Sequence, residues 1–421
     1  MNSEFKPDEF QEKAIRNICS LDRKISVLTG SAGRGKTTIL AEILKELWNG
    51  KVRPEDTFIA TPTGKAAVVV NKALKGTDAG SMMINPAGTI HRVLGCRGPI
   101  WEFHAGNRLQ CSLFIVDEAS MVDVELMARI INSIAEDAKI LLVLDDKQLL
   151  PVGPGSPAID IIRADLPGQV NKLVVNYRQK SGEMLGTALE RILDGEMPEF
   201  SGKDKPGNIF FHEVDNKEEI PDAVERVVSG WYHDGDDWIA LSPQWKGEAG
   251  INAINEHLQE KLNPHEDNKP FFEVYGKPIR LYDKVRHTKN NYKLGKNGVF
   301  NGFCGEVLSV GKIAEEHDVL IQFNGQDNVE YKKKKDLEQL VLGYCISIHA
   351  SQGSQYRKVC VVIHSTHSFT LCRSLLYVAC SRAQVELHIV GDKLGFNRAL
   401  KKDINDKRDT YISLMTEMEE K

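Results

Sequence analysis

The sequence has no apolar run long enough to cross a bilayer, and its first ten residues are polar and acidic instead of basic and then apolar. Its eight cysteines are scattered and never form a C-x-x-C pair, which argues against a disulfide framework or a cysteine zinc site. We therefore expect reduced thiols in protein cores, a cytoplasmic location, no targeting segment and no membrane partner.

The chain also has no excess of basic residues. It contains 54 Lys and Arg against 59 Asp and Glu, a net charge of −5. This balance argues against a protein that binds polyanions through its overall charge, although a local basic groove stays open. His364 and His367 have a metal-like spacing but no second pair of ligands, which favours a structural role. A length of 421 residues predicts two or three domains.

One segment dominates what is present. The apolar, β-branched run Ile25–Thr29 leads into G-S-A-G-R-G-K-T at 30–37, and apolar residues then recur at helical spacing up to residue 47. This is the strand, loop and helix of a phosphate-binding loop. Its glycines let backbone amides surround phosphate oxygens, Lys36 reaches the outer phosphates, and the Thr37 hydroxyl ligates Mg²⁺. The predicted ligand is a nucleoside triphosphate with Mg²⁺.

Other apolar runs also end in polar residues, as strands of a parallel sheet covered on both faces do. The run 113–116 precedes Asp117 and Glu118, and the run 140–144 precedes Asp145 and Gln148. Ligands of such sheets bind at the carboxyl ends of the strands. We therefore expect Asp117 to hold Mg²⁺ and Glu118 to activate the attacking water.

Changes in the pattern of apolar and polar residues divide the chain into predicted domains. The predicted boundaries are 1–170 for a first α/β domain with a hairpin insertion at 94–110, and 171–267 plus 337–421 for a second. Short alternating runs at 268–336 predict an inserted β barrel. The lysines at 332–335 at its edge are explained equally well by a solvated edge or by nucleic-acid contact.

Taken in order, these motifs resemble the superfamily 1 DNA helicases of the RecD/Dda-like (B) branch, and the length is closest to the compact phage Dda type. The motifs that carry the resemblance are G-S-A-G-R-G-K-T, A-T-P-T-G-K-A-A, T-I-H-R, D-E-A-S-M-V-D, D-D-K-Q-L-L-P-V-G-P-G, N-Y-R-Q, S-I-H-A-S-Q-G-S-Q and L-Y-V-A-C-S-R-A. The implied fold is α/β, with two RecA-like P-loop NTPase domains, ATP between them, and an SH3-like β-barrel insertion in the second.

The resemblance also implies roles for individual residues. The implied catalytic residues are Lys36, Glu118, Gln148, Arg178 and Arg382, the last two as arginine fingers. The implied ATP contacts are Gln11, Gly30, Ser31, Ala32, Gly33, Arg34, Gly35, Lys36, Thr37, Thr38, Tyr177, Arg178, Gly353, Gln355 and Arg382, with Thr37 and Asp117 on Mg²⁺. The implied nucleic-acid contacts are Pro62, Thr63, Gly64, Thr89, His91, Trp101, Phe103, Pro151, Val152, His349, Ser351 and Gln352.

Several interpretations stay open at this point. Spacing alone favours structural salt bridges over arginine fingers for Arg178 and Arg382. Core packing explains Trp101 and Phe103 about as well as a duplex-splitting pin does. Gln355 stands where the family usually has a glutamate that contacts the ribose. The expected function is a monomeric, ATP-dependent 5′ to 3′ DNA helicase in bacterial or phage-infected cytoplasm. Its expected partners are single-stranded DNA, single-strand/duplex junctions and a single-stranded DNA-binding or replication protein. The alternatives are a translocase that strips proteins or acts on RNA, and a subunit of a larger recombination complex that is inactive alone.

Overall fold

Short apolar runs form the central strands of two parallel sheets in the computed structural model of the chain. The model describes residues 6–176, 184–202, 205–296, 298–313, 316–323 and 327–403. The chain divides into one unit that reaches Gly186 and a second that spans Thr187–Asp403. Within the described ranges, no helix combines the length and apolarity needed to cross a membrane.

The first unit is a six-stranded parallel sheet with helices on both faces, as predicted. Its helices are α1 (Glu9–Cys19), α2 (Lys36–Trp48), α3 (Gly64–Leu74), α4 (Asp78–Met82), α5 (Ile90–Val93), α6 (Val124–Ser133) and α7 (Pro157–Ala164). Its strands are β1 (Ile25–Thr29), β2 (Thr57–Thr61), β3 (Gly88–Thr89), β4 (Cys96–Arg97), β5 (Ile100–Trp101), β6 (Leu113–Asp117), β7 (Lys139–Leu144) and β8 (Val170–Lys172). The sheet order is β3-β2-β6-β7-β1-β8, and β4 pairs with β5 as a separate hairpin.

Successive side chains of each strand point to opposite faces of this sheet, and a hydrophobic core forms on each face. Leu113 and Ile115 of β6 join the core under α2, while Phe114 and Val116 join the opposite core. Helix α2 buries Ile39, Leu40, Ile43, Leu44 and Leu47 at helical spacing. Full burial of one such side chain contributes about 1.5–3 kcal/mol, so α2 is fixed firmly behind the loop that precedes it.

The first unit extends beyond the predicted boundary at residue 170. Strand β8 pairs in parallel with β1, with Val170 opposite Val27. Only three residues long, β8 carries an Asn between Val and Lys, and so lacks the apolar signature of the other strands.

The second unit is a five-stranded parallel sheet with an antiparallel insertion. Its helices are α8 (Met184–Leu193, which starts in the first unit), α9 (Ile220–His233), α10 (Ile251–Leu262), α11 (Lys334–Leu337), α12 (Arg373–Ser381) and α13 (Lys393–Lys401). Its strands are β9 (Ile209–Glu213), β10 (Trp238–Ser242), β11 (Phe271–Val274), β12 (Lys277–Arg280), β13 (Lys284–His287), β14 (Cys304–Ile313), β15 (Glu316–Phe323), β16 (Asn328–Tyr331), β17 (Leu340–Leu342), β18 (Cys345–Ser347), β19 (Tyr356–Ile363) and β20 (Ala383–Gly391). The parallel order is β18-β10-β19-β20-β9, and the antiparallel order is β16-β15-β14-β13-β17.

The insertion ends later than the predicted residue 336, because β17 pairs antiparallel with β13. A buried carboxylate joins the insertion to the parallel sheet. Asp283 accepts hydrogen bonds from the Arg280 amide (2.7 Å), Gln259 Nε2 (2.5 Å), Asn263 Nδ2 (2.7 Å) and the Tyr344 hydroxyl (2.8 Å). Burial raises the pKa of Asp283, and these four donors oppose that rise.

Candidate active site

The loop between β1 and α2 has the backbone of a phosphate cradle. Gly33 and Gly35 have φ of +82° and +78°, a region that favours glycine. Gly35 caps α2 with no side-chain hydrogen bond, so its first-turn amides are not satisfied by a capping side chain. At Gly30 a Cβ would approach the Leu173 carbonyl oxygen to 3.2 Å, so a larger residue would displace the loop.

Lys36 and Arg34 are held by loop carbonyls. The Lys36 ammonium donates to the carbonyl oxygens of Gly30 (2.5 Å) and Ser31 (3.3 Å). Arg34 Nη1 donates to the Leu173 carbonyl oxygen at 3.0 Å, which ties the loop to the segment after β8. This anchoring role of Arg34 was not predictable from the sequence, because its acceptor lies 139 residues away.

The acidic pair follows β6 directly. Burial and the adjacent charge of Glu118 raise the pKa of Asp117 to about 7, and the nearby Lys36 ammonium opposes this rise. Glu118 itself has φ of +55°, a conformation that costs free energy in a non-glycine residue and is often found at active sites. Two crowded carboxylates beside a lysine suit a divalent cation, so Asp117 fits as a Mg²⁺ ligand. Thr37 lies in the first turn of α2.

The end of β7 brings Gln148 to the same edge of the sheet, because β7 lies between β6 and β1. The Thr29 hydroxyl at the end of β1 donates to Asp146 Oδ1 at 3.1 Å, which links the two strand ends. Gln148 is 5% exposed, and its Oε1 has no hydrogen-bond partner among the residues described. A buried polar atom without a partner is costly, and a bound ligand or water at this position would satisfy it.

One further predicted nucleotide residue has a structural partner within the first unit. Gln11 is buried, and its side-chain oxygen accepts the Asp8 amide in the capping box of α1 (3.0 Å). Thr38, one residue beyond Thr37, is exposed. Tyr177 and Arg178 lie outside the described residues, so their roles remain predictions.

Several predicted nucleic-acid residues of the first unit lie around the ends of β2 and β3, which are side by side with Thr61 opposite Thr89. The hydroxyls of Thr63 and Thr89 accept amides of the helices that follow, at 3.3 and 3.1 Å, and so serve as helix caps. His91 is exposed. Pro62 is partly exposed, Gly64 and Pro151 are buried, and Val152 is 91% exposed.

The hairpin β4–β5 presents a different side chain from those predicted. Trp101 and Phe103 are partly buried against the core of the first unit. The Trp101 ring lies 5.2 Å from the His91 ring, and the Arg129 guanidinium lies 5.0 Å from the Trp101 ring centroid. Ile100 is 70% exposed. Ile100 lies beside Pro99 in the short turn of the hairpin, which was the signal in the sequence for an exposed apolar residue there.

In the second unit, His349, Ser351 and Gln352 form a turn after β18. His349 is exposed, whereas the buried Ser351 hydroxyl donates to the Ile348 carbonyl oxygen at 2.7 Å and so holds the turn. Gln352 is 6% exposed, and its Nε2 has no partner in the described part of the chain. Of the predicted nucleotide residues nearby, Gly353 has φ of +70°, and the exposed Gln355 accepts a hydrogen bond from Gln384.

Arg382 is 4% exposed at the end of α12. Its Nε donates to the Val378 carbonyl oxygen, Nη1 to the Ser354 carbonyl oxygen and Nη2 to the Ser381 hydroxyl, each at 3.0 Å. The side chain is therefore engaged within its own unit, and any role at a phosphate needs these hydrogen bonds to exchange.

Comparison with known proteins shows that three family models match parts of this chain. A model described as an AAA domain matches residues 6–213. A model of the ATP-dependent RecD-like DNA helicase SH3 domain matches 254–323, and a UvrD-like helicase C-terminal domain matches 342–390. The SH3 match falls on the antiparallel insertion, with α10 before it, and the third match spans β18 to β20.

Individual relatives agree with these models. The ATP-dependent RecD2 DNA helicase of Deinococcus radiodurans is 33% identical over 367 residues, which are 86% of this chain and 46% of that protein. The RecBCD enzyme subunit RecD of Mycobacterium tuberculosis is 28% identical over 427 residues, 94% of this chain and 71% of that protein. The chain thus spans about half the length of the first relative.

A solved structure shares the fold. The crystal structure of Pif1 helicase from Bacteroides in complex with ADP-AlF3 and ssDNA has a TM-score of 0.58 and 19% identity, covering 99% of this chain and 97% of that one.

Proposed function

The chain belongs to the RecD-like branch of the superfamily 1 helicases, and from that premise we propose that it is an ATP-dependent DNA helicase. It would hydrolyse ATP while moving along single-stranded DNA and would separate duplex strands in replication, recombination or repair. The observation that carries the proposal is the convergence of Lys36, the Asp117–Glu118 pair and Gln148 at neighbouring strand ends.

Each of these residues has a defined task in the proposed reaction. The loop amides bind phosphate oxygens, and Lys36 exchanges its bonds to the Gly30 and Ser31 carbonyls for the outer phosphates. Asp117 and Thr37 hold Mg²⁺, which when bound with ATP neutralises charge on the phosphates. Glu118 orients the attacking water and accepts its proton at the carboxylate, and Gln148 Oε1 accepts a hydrogen bond from that water.

The remaining nucleotide contacts are proposed from the family resemblance. Gln11 reads adenine and Tyr177 stacks on it, while Arg178 and Arg382 neutralise the charge that develops on the transferred phosphoryl group. For Arg382 this requires release from its carbonyl partners. The γ-phosphate is lost on hydrolysis, so arginines that contact it do so in the ATP-bound state and lose this contact in the ADP-bound state.

We propose single-stranded DNA and its junctions with duplex as the substrate, with movement from 5′ to 3′, and a monomer as the active form. Contacts with the phosphate backbone make such binding independent of sequence and sensitive to salt. The cytoplasm of a bacterial or phage-infected cell is the proposed location, and a single-stranded DNA-binding or replication protein the proposed partner. Seven of the eight cysteines are buried free thiols, which suits a reducing compartment.

ATP hydrolysis with and without oligothymidylate tests the proposal. We expect DNA to stimulate turnover, and Lys36→Ala to reduce that turnover by at least about 100-fold, the usual cost of losing one preorganised electrostatic contact. Lys45→Ala is the matched control, because Lys45 lies on the same helix in an exposed ion pair with Asp78 (2.6 Å). Turnover retained in Lys36→Ala would refute the phosphate site, and equal stimulation by an RNA oligomer would refute DNA selectivity.

A second candidate function is a translocase subunit of a larger recombination complex, inactive in unwinding alone. The resemblance to a RecBCD enzyme subunit, of which the chain covers 71%, favours it. DNA-stimulated ATP hydrolysis without strand separation by the purified chain would select this alternative.

A further inference from the structure

Trp245 is an exposed aromatic residue beside the predicted nucleic-acid turn of the second unit. It lies in the loop 243–250 that follows β10, and its side chain is 47% exposed. Strand β10 pairs in parallel with β18, with Ser242 opposite Ser347. Parallel neighbours about 5 Å apart end at the same edge of a sheet. The loop that carries Trp245 therefore emerges next to the turn that carries His349 and Gln352.

The loop holds the Trp245 backbone in one place. The Ser242 hydroxyl donates to the Ala249 carbonyl oxygen at 2.9 Å in a buried hydrogen bond. The Asn252 amide donates to the Trp245 carbonyl oxygen at 3.1 Å, and the Ile251 amide donates to the Gln244 carbonyl oxygen at 2.9 Å. An aromatic side chain on a fixed loop loses little conformational entropy when a ligand binds.

Arg286 of β13 lies beneath the indole ring, with its guanidinium carbon 5.6 Å from the ring centroid. Arg286 is 7% exposed, and its Nε has no hydrogen-bond partner within the described ranges. None of the ion pairs formed by the described residues involves Arg286, and burial lowers its pKa. An arginine that is buried without a carboxylate creates a local positive potential that an anion can satisfy.

The insertion contributes to the same surface through a second contact. A methyl group added at Gly302 would lie 3.5 Å from the Ala350 carbonyl oxygen, so this barrel loop lies close to the turn after β18. In that turn, the buried Nε2 of Gln352 is also without a partner among described residues. The acidic residue of the Trp245 loop, Glu248, is ion-paired with Lys217 at 3.2 Å, which offsets its charge.

We propose that Trp245, positioned by Arg286, is a stacking platform for a base of the single strand whose backbone passes the turn at 349–352. One face of the indole is set against the guanidinium, and the exposed face accepts a base. Stacking on an aromatic ring tolerates any base, as a translocating protein requires. The inference rests on the proposed function and names an additional contact for its substrate.

Fluorescence and anisotropy titrations with labelled oligothymidylate test this platform on the full chain. Trp245→Ala should weaken binding by about 5- to 100-fold, the usual effect of losing one stacked base. Trp245→Phe should bind within about threefold of the wild type, because phenylalanine also stacks, but should lose the part of the tryptophan quench that Trp245 contributes. Phe271→Ala is the matched control, because Phe271 is also 47% exposed in the same unit.

The role of Arg286 as a positioning residue has its own readout. Arg286→Met should reduce both affinity and quench, and Arg286→Lys, which keeps a cation beneath the ring, should restore most of both. Wild-type affinity in Trp245→Ala, or a full quench in Trp245→Phe, would overturn the platform while leaving the helicase proposal intact. Failure of the wild type itself to bind the oligomer would overturn both.

Discussion

Replacing Arg382 separates a structural arginine from a catalytic one. In the structure its guanidinium makes three hydrogen bonds while only 4% of the residue is exposed. Arg382→Ala removes this donor from the Ser354 and Val378 carbonyls, and the Val378 carbonyl still accepts a hydrogen bond from the Ser381 hydroxyl. An unsatisfied buried group costs about 1–3 kcal/mol, so we expect the loss at the Ser354 carbonyl to lower the free energy of unfolding by about 1–3 kcal/mol.

The loss of activity should be much larger than that loss of stability explains. An arginine finger contributes about 10³-fold or more to the rate of phosphoryl transfer. We therefore expect Arg382→Ala, assayed well below its melting temperature, to bind ATP with near wild-type affinity and to lose at least about 1,000-fold in turnover. The assays are thermal unfolding, nucleotide binding and steady-state hydrolysis on the same preparation.

Ser381→Ala is the matched control for the stability part. The Ser381 hydroxyl accepts one of the three hydrogen bonds and itself donates to the Val378 carbonyl oxygen at 2.9 Å. Its loss should lower stability by about 1–3 kcal/mol, two ordinary hydrogen bonds of about 0.5–1.5 kcal/mol each, with turnover within about twofold. If Arg382→Ala lowers the melting temperature but hydrolyses ATP like Ser381→Ala, Arg382 supports only the fold.

Three other outcomes follow from the same structure. Glu118→Gln should keep nucleotide binding and lose about 10²- to 10⁴-fold in hydrolysis, as for a missing general base, and unchanged single-turnover rates would contradict that role. Ile100→Ala should impair strand separation but spare DNA-stimulated hydrolysis, because Ile100 is exposed on the hairpin. Trp101→Ala should lower thermal stability, because Trp101 packs against the core. Loss of strand separation in Trp101→Ala but not in Ile100→Ala would instead identify Trp101 as the pin. Burial, with help from the charges of His212 and Lys358, lowers the pKa of His388 from 6.5 to about 3. Between about pH 3 and 6.5 the unfolded chain therefore binds a proton at this histidine that the folded chain does not. Stability should fall as pH drops below about 6.5, and His388→Gln should reduce this dependence in urea melts at pH 7.5 and 5.

The strands that precede the candidate catalytic residues could be predicted from the sequence alone. The runs at Ile25–Thr29, 113–116 and 140–144 are apolar on both faces, and the structure makes them central strands of a parallel sheet. The polar residues that follow these strands therefore lie together at one edge of the sheet. That is why the grouping of Lys36, Asp117 and Gln148 could be predicted without any knowledge of distances.

Edge strands and tertiary contacts were not predictable in the same way. Strand β9 at Ile209–Glu213 is a sheet edge with three partly buried residues, and its mixed composition gave no clear signal. The burial of Arg382 depends on the Ser354 carbonyl, which lies 28 residues away. The contact of Trp101 with Arg129 is similarly non-local. Only the folded chain distinguishes these side chains from exposed functional ones.

ATP hydrolysis at Lys36 and Glu118 is proposed to drive movement of the protein along a single strand. Strand displacement tests it most directly, with the purified chain, ATP, Mg²⁺ and duplexes that carry a single-stranded tail at either the 5′ or the 3′ end. The account predicts separation of the 5′-tailed duplex only, dependent on ATP and abolished in Lys36→Ala. Separation that continues in Lys36→Ala, or no separation of either duplex by a chain that hydrolyses ATP, would contradict it.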